Sequence, residues 1–122
     1  MLNGTTHILV VDRSCGHPPV VYPGTKLSES HYTKDTQGIR TAIEFSDDGT
    51  IVKIGTDNTI EGSLSSDVDG MRLYELKMFA GGRLVVWEVD TCYEAELTIY
   101  GSGVPIISSV RGKLVKKELS NN

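Results

Sequence analysis

Hydrophobic positions along this chain come in short bursts separated by Gly, Asp, Asn and Ser, and within most bursts apolar and polar side chains alternate. Runs rich in Val, Ile, Thr and Tyr lie at His7–Asp12, Pro19–Tyr22, Thr41–Ser46, Thr50–Ile54, Thr59–Leu64, Met71–Phe79, Arg83–Glu88, Cys92–Tyr100, Val104–Val110 and Gly112–Lys117. A period of two residues is the pattern of a half-buried strand. Helical periodicity is nearly missing. The single candidate, residues 27–35, is polar and short enough for only a turn or two. From Thr41 onward the bursts recur about every 8–12 residues, the rhythm of an antiparallel sandwich or barrel.

Register sharpens this reading, because hairpin partners share a face. A tight turn at Asp48-Gly49 pairs Phe45 with Val52 and Ile43 with Ile54. A turn at 56–58 then pairs Ile60 with Ile54 and Gly62 with Val52. A loop at Gly81-Gly82 predicts Met78 opposite Val85, Leu76 opposite Trp87 and Tyr74 opposite Val89. A three-residue turn at 89–91 predicts Trp87 opposite Tyr93 and Val85 opposite Ala95. A loop at Gly101-Ser102 predicts Ile99 opposite Val104 and Leu97 opposite Ile106. Together these turns put Phe45, Val52, Trp87, Tyr93 and Ile106 on one apolar face.

The other face is expected to carry Glu75, Lys77, Glu88, Glu94, Glu96 and Thr98, with Phe79, Leu84, Val86 and Ile107 among them. The run Leu84-Val85-Val86-Trp87 implies burial on both sides of its strand, under the N-terminal segment or another subunit. The fold class expected is all-β: a small antiparallel meander barrel of about eight to ten strands, with a two-sheet β-sandwich as the alternative. Residues 1–122 read as one domain, with 1–38 as a less regular arm packing on the sheet.

Composition narrows the function. With 122 residues, 39% hydrophobic and 23% charged, the chain can bury a core without metal or disulfide staples. Its net charge of −4 disfavours a nucleic-acid partner, which needs a surplus of Lys and Arg. No stretch reaches the length of a membrane helix and no basic segment opens the chain, so neither a membrane partner nor secretion is expected. The two cysteines, Cys15 and Cys92, read as free thiols of a cytoplasmic protein.

Candidate chemistry is sparse. Cys15 and His17 have the chemistry of a nucleophile and base, but residues so close on an extended chain favour a Gly/Pro turn with a small buried thiol. Asp67-Val68-Asp69-Gly70 lacks the later carboxylates of a calcium loop and reads as turn chemistry. Glu94 and Glu96, with Glu88 and Glu75 on neighbouring strands, could form an acid–base cluster, though a solvated face is the simpler reading. Tyr74, Trp87 and Tyr93, with Arg72 further along the same face, form the ligand-binding candidate, since aromatic walls with polar tips suit a small-molecule pocket. The simpler reading of the same residues is core, with the hydroxyls and indole N–H finding local partners. The expected function is non-enzymatic binding of a small molecule inside the barrel or of a protein partner on the sheet. Two other classes stay open: a self-associating structural or assembly subunit (a homo-oligomer), and a small hydrolase-type enzyme using clustered carboxylates. No cofactor or metal is expected.

Overall fold

The computed structural model describes residues 2–19, 25–78, 81–100 and 107–117. The elements are β1 (Thr6–Gly16), a 3-10 turn (Glu29–His31), β2 (Thr33–Lys34), β3 (Arg40–Phe45), β4 (Ile51–Ile54), β5 (Ile60–Val68), β6 (Met71–Leu76), β7 (Gly82–Val89), β8 (Cys92–Tyr100) and β9 (Ile107–Lys116). From β3 to β9 each strand pairs antiparallel with the next, and β1 pairs with both β3 and β9. Eight strands therefore close into a barrel, and β2 adds a short ninth on β1. Closure leaves no long sheet edge exposed. The candidate helical segment supplies the 3-10 turn and the short strand β2. Among the described residues no helix is long and apolar enough to cross a membrane.

Two of the expected hairpins form with the expected partners: Phe45 with Val52 and Ile43 with Ile54, then Ile54 with Ile60 and Val52 with Gly62. Asp69 and Gly70, at φ 54° and 77°, make the two-residue turn between β5 and β6, the primed geometry Asp-Gly favours. Three later registers differ. Tyr74 pairs with Leu84 and Met71 with Trp87, five positions from the expected register, because the chain leaves β6 at Leu76 and turns well before Gly82. Asp90, at φ 56°, allows a two-residue turn in place of three, so Glu88 and not Trp87 faces Tyr93. Leu97 faces Val110, because the link from Tyr100 to Ile107 spans six residues. The expected partners Val104 and Ile106, the strand at Pro19–Tyr22 and Phe79 fall wholly or partly outside the described residues.

The last two expected strands are one, β9, running straight through Gly112. That glycine marks a close approach and not a turn: a Cβ there would lie 1.9 Å from the Val10 carbonyl oxygen. The contact adjoins a β-bulge at Asp12, where the β1–β9 register shifts between Val11 and Arg13. The bulge has two effects. It lets β1 exchange β3 for β2 as partner, and it turns Arg13 from the interior parity of Leu9 and Val11 to the outer face, opposite Arg111. β1 is thus a barrel stave, and within 25–39 the regular elements are the 3-10 turn and β2.

The described interior is packed with apolar side chains. Leu9, Ile43, Phe45, Val52, Tyr74, Leu84, Val86 and Ala95 are all essentially inaccessible, and Val11, Leu76, Leu97 and Leu114 complete the cluster. An eight-stranded barrel has just enough room for such side chains. A second, smaller apolar cluster, Leu73, Val85 and Trp87, lies on the outside. Burial of β7 on both faces, from Gly82 to Trp87, is complete within one chain.

Candidate functional site

The four sequence candidates separate. Arg72, Tyr74 and Tyr93 share the inner parity with Leu84 and Val86, whereas Trp87 pairs with Met71 and Glu94 on the outer face. The expected cluster of three aromatics is therefore not formed. Tyr74 is core: it is fully buried, its hydroxyl donates to the Gly49 carbonyl at 2.6 Å, and its ring meets Phe45 edge-on. Burial raises its pKa, with the Arg72 cation acting the other way.

Arg72 and Tyr93 lie at the end of the barrel where the β5–β6 and β7–β8 turns meet the N-terminal residues. The Arg72 guanidinium donates to Asn3 Oδ1 at 2.8 Å and to the Tyr74 hydroxyl at 3.1 Å, and is 3.5 Å from Asp67. Between Arg72 and Tyr93 opens a pocket of about 110 Å³ lined by Leu2, Asp67, Gly70, Arg72, Val86, Glu88 and Tyr93. On the far side of Tyr93 a broader groove of about 360 Å³ is floored by His7, Tyr93 and Leu114 and rimmed by Thr5, Thr91, Cys92 and Lys116. Burial, helped by Glu88, raises the Tyr93 pKa. Burial also lowers that of His7, with the Lys116 cation adding to the effect, which favours the neutral imidazole. The pocket beside Arg72 thus offers a cation, flanking carboxylates and an apolar wall.

The expected carboxylate cluster is divided as well. Glu88 lies on the inner parity with Tyr93, away from Glu94 and Glu96. Lys77 pairs with Glu61 at 3.0 Å. Nor is the outer face near Glu96 solvated. Glu96 is fully buried, beneath a strap formed by residues 25–32. Its carboxylate receives Arg111 Nη2 at 2.7 Å, Arg83 Nη2 at 3.1 Å, the Tyr32 hydroxyl at 2.6 Å and the Leu27 N–H at 3.2 Å. Two guanidinium groups and two neutral donors satisfy one buried anion, the condition under which such a charge is tolerated. The Tyr32 hydroxyl has one proton and gives it to Glu96, so Ser109, 2.7 Å away, donates to Tyr32, and Thr98, 2.9 Å from Ser109, donates in turn. Burial and the Glu96 charge together push the Tyr32 pKa well above its ordinary range.

Arg111 also donates to the Leu27 carbonyl at 2.6 Å and to Glu29 at 2.7 Å, and it lies over the Tyr32 and Trp87 rings. Lys26 caps the other approach to Trp87, 3.9 Å from the ring centroid. Arg13 closes the set, binding Asp12, Glu29 and Glu94. Arg83, Arg111, Tyr32 and Glu29 are the residues sequence reading missed. In β8 and β9 Glu94 faces Lys113 and Glu96 faces Arg111, opposite charges that the expected register, four positions away, did not bring together; nor could it be seen that the strap seals them. Cys15 is not engaged with His17; its thiol lies 3.7 Å from the Gly16 carbonyl oxygen. Both cysteines are free thiols. Comparisons with protein families, curated proteins and solved structures find no match.

Proposed function

We propose that this chain is a non-enzymatic binding protein whose ligand sits at the mouth of the barrel, between Arg72 and Tyr93. The observation that supports this is the pocket walled by those two side chains, with Leu2 and Val86 as its apolar lining and Asp67 and Glu88 beside the cation. The fitting ligand is small and of mixed polarity: a polar group for Arg72 and an apolar body against Tyr93, Leu2 and Val86. The free thiols suit a reducing, cytoplasmic setting. A second reading, self-association through this end, draws on Val68 and Val89, exposed at the hairpin tips that flank the pocket.

A fragment screen by two-dimensional NMR tests the proposal. Binding should shift amide signals within 67–72 and 86–93, and Tyr93→Ala should abolish those shifts while leaving the rest of the spectrum intact. Shifts scattered elsewhere, or surviving in Tyr93→Ala, would refute a mouth site. Light scattering separates the second reading, which requires a dimer that Val68→Lys disrupts.

A further inference from the structure

We propose that Arg13 and Arg111 form a carboxylate-binding site which Glu29 fills from within the chain, and that an external carboxylate takes its place when Glu29 is removed. This site lies on the outer face and is independent of the mouth. The two arginines are direct register partners on β1 and β9. Each sends an Nη1 to a different oxygen of one carboxylate, Arg13 to Glu29 Oε1 at 2.6 Å and Arg111 to Oε2 at 2.7 Å. Two guanidinium groups gripping the two oxygens of one carboxylate give the strong, directional recognition of an oxyanion.

The cations are fixed whether or not Glu29 is there. Arg111, with a side chain only 3% exposed, is anchored by Glu96 and the Leu27 carbonyl; Arg13 is anchored by Asp12 and Glu94. By contrast the occupant is exposed. The Glu29 side chain is 63% accessible and stands on a three-residue 3-10 turn with no buried residue. A preorganised, largely buried grip on a solvent-facing carboxylate is a site open to exchange.

Geometry selects the ligand class. Within the ion-paired set, the guanidinium groups of Arg13, Arg83 and Arg111 meet the carboxylates of Asp12, Glu29, Glu94 and Glu96. The position that Glu29 vacates is shaped by two Nη1 donors on the two oxygens of one planar carboxylate, a geometry that a carboxylate matches better than a tetrahedral phosphate.

Chemical rescue of Glu29→Ala by acetate tests this, read from the Arg13 and Arg111 Nε–H NMR signals and from emission of Trp87, which lies beneath Arg111. In Glu29→Ala, acetate should produce saturable shifts at both arginines, with half-saturation about tenfold lower than in the unaltered protein, where Glu29 competes. Glu29→Ala/Arg13→Met should lose saturation while keeping its far-UV spectrum, which separates a lost site from a lost fold. Equal response in the unaltered protein and Glu29→Ala would overturn the proposal, as would saturation that survives Arg13→Met. Inorganic phosphate at matched ionic strength should bind more weakly than acetate; equal or tighter binding would overturn the assignment to carboxylates.

Discussion

The barrel interior and the space beneath the strap are equally buried and chemically opposite. Inside, Phe45, Ile43, Leu84 and their neighbours exclude water by packing, and the polar tip of Tyr74 satisfies itself on Gly49. Outside, Glu96, Arg83, Arg111 and Tyr32 are held by hydrogen bonds and ion pairs to one another, with Arg111 and Lys26 lying over the Trp87 ring. The difference teaches how each compartment fails. An apolar core loses stability roughly in proportion to the volume removed, while an ionic cluster fails when one partner is taken from the rest.

The largest effect should come from stranding charge. Glu96→Leu leaves two buried guanidinium groups without their anion and should cost about 3–5 kcal/mol by urea unfolding. Replacing the whole triad by apolar residues of similar size, with Arg83→Met and Arg111→Met added, should recover most of that loss. Failure to recover would mean that the ionic network does more than fill space. In the barrel, Leu84→Ala should cost about 2–5 kcal/mol, and no second substitution that leaves the cavity open should rescue it. Tyr74→Phe is smaller: it leaves the Gly49 carbonyl without its donor, at about 1–3 kcal/mol.

Two milder changes sharpen the contrast further. His7 sits at the boundary of the interior with its pKa held below the ordinary 6.5. The unfolded chain therefore takes up its proton first as pH falls. The His7 contribution is complete above about pH 6.5 and is lost as pH drops toward the folded value, and His7→Asn should flatten that part of the stability–pH curve. Glu29→Ala, at the exposed edge of the ionic compartment, should cost no more than about 1 kcal/mol at neutral pH. Arg13 holds the Glu29 carboxyl below its ordinary 4.5. This small contribution is therefore present above pH 4.5 and lost as pH falls through the lowered folded value.

Strand content, barrel closure and the inward set Phe45, Val52, Ile54 and Tyr93 were legible because period-two patterning survives modest errors in turn length. Trp87 was not, and parity explains why. The β6–β7 register is off by five and the β7–β8 register by one, both odd, so each inverts one strand relative to its neighbour. The two inversions cancel between Tyr74 and Tyr93, which stay on one face, and leave β7 alone reversed. Since Leu84-Val85-Val86-Trp87 is apolar on both faces, its pattern carried no information to correct the slip. The β8–β9 error is even, four positions, and moves partners without moving faces. At the outer site, Glu96 looked like a solvated acid because nothing in its local pattern announces the strap, which reaches it from 64 to 69 residues away in the chain. The bulge that turns Arg13 outward was similarly hidden, for Asp12 reads as an ordinary strand end.

Trp87 belongs to the ionic compartment and not to the barrel interior, and nuclear Overhauser contacts from its indole protons test that assignment most directly. They should run to the Lys26 side-chain methylenes and be missing to the rings of Tyr74 and Tyr93. Contacts from the indole to either tyrosine, with none to Lys26, would return Trp87 to the interior and undo the separation of the two compartments.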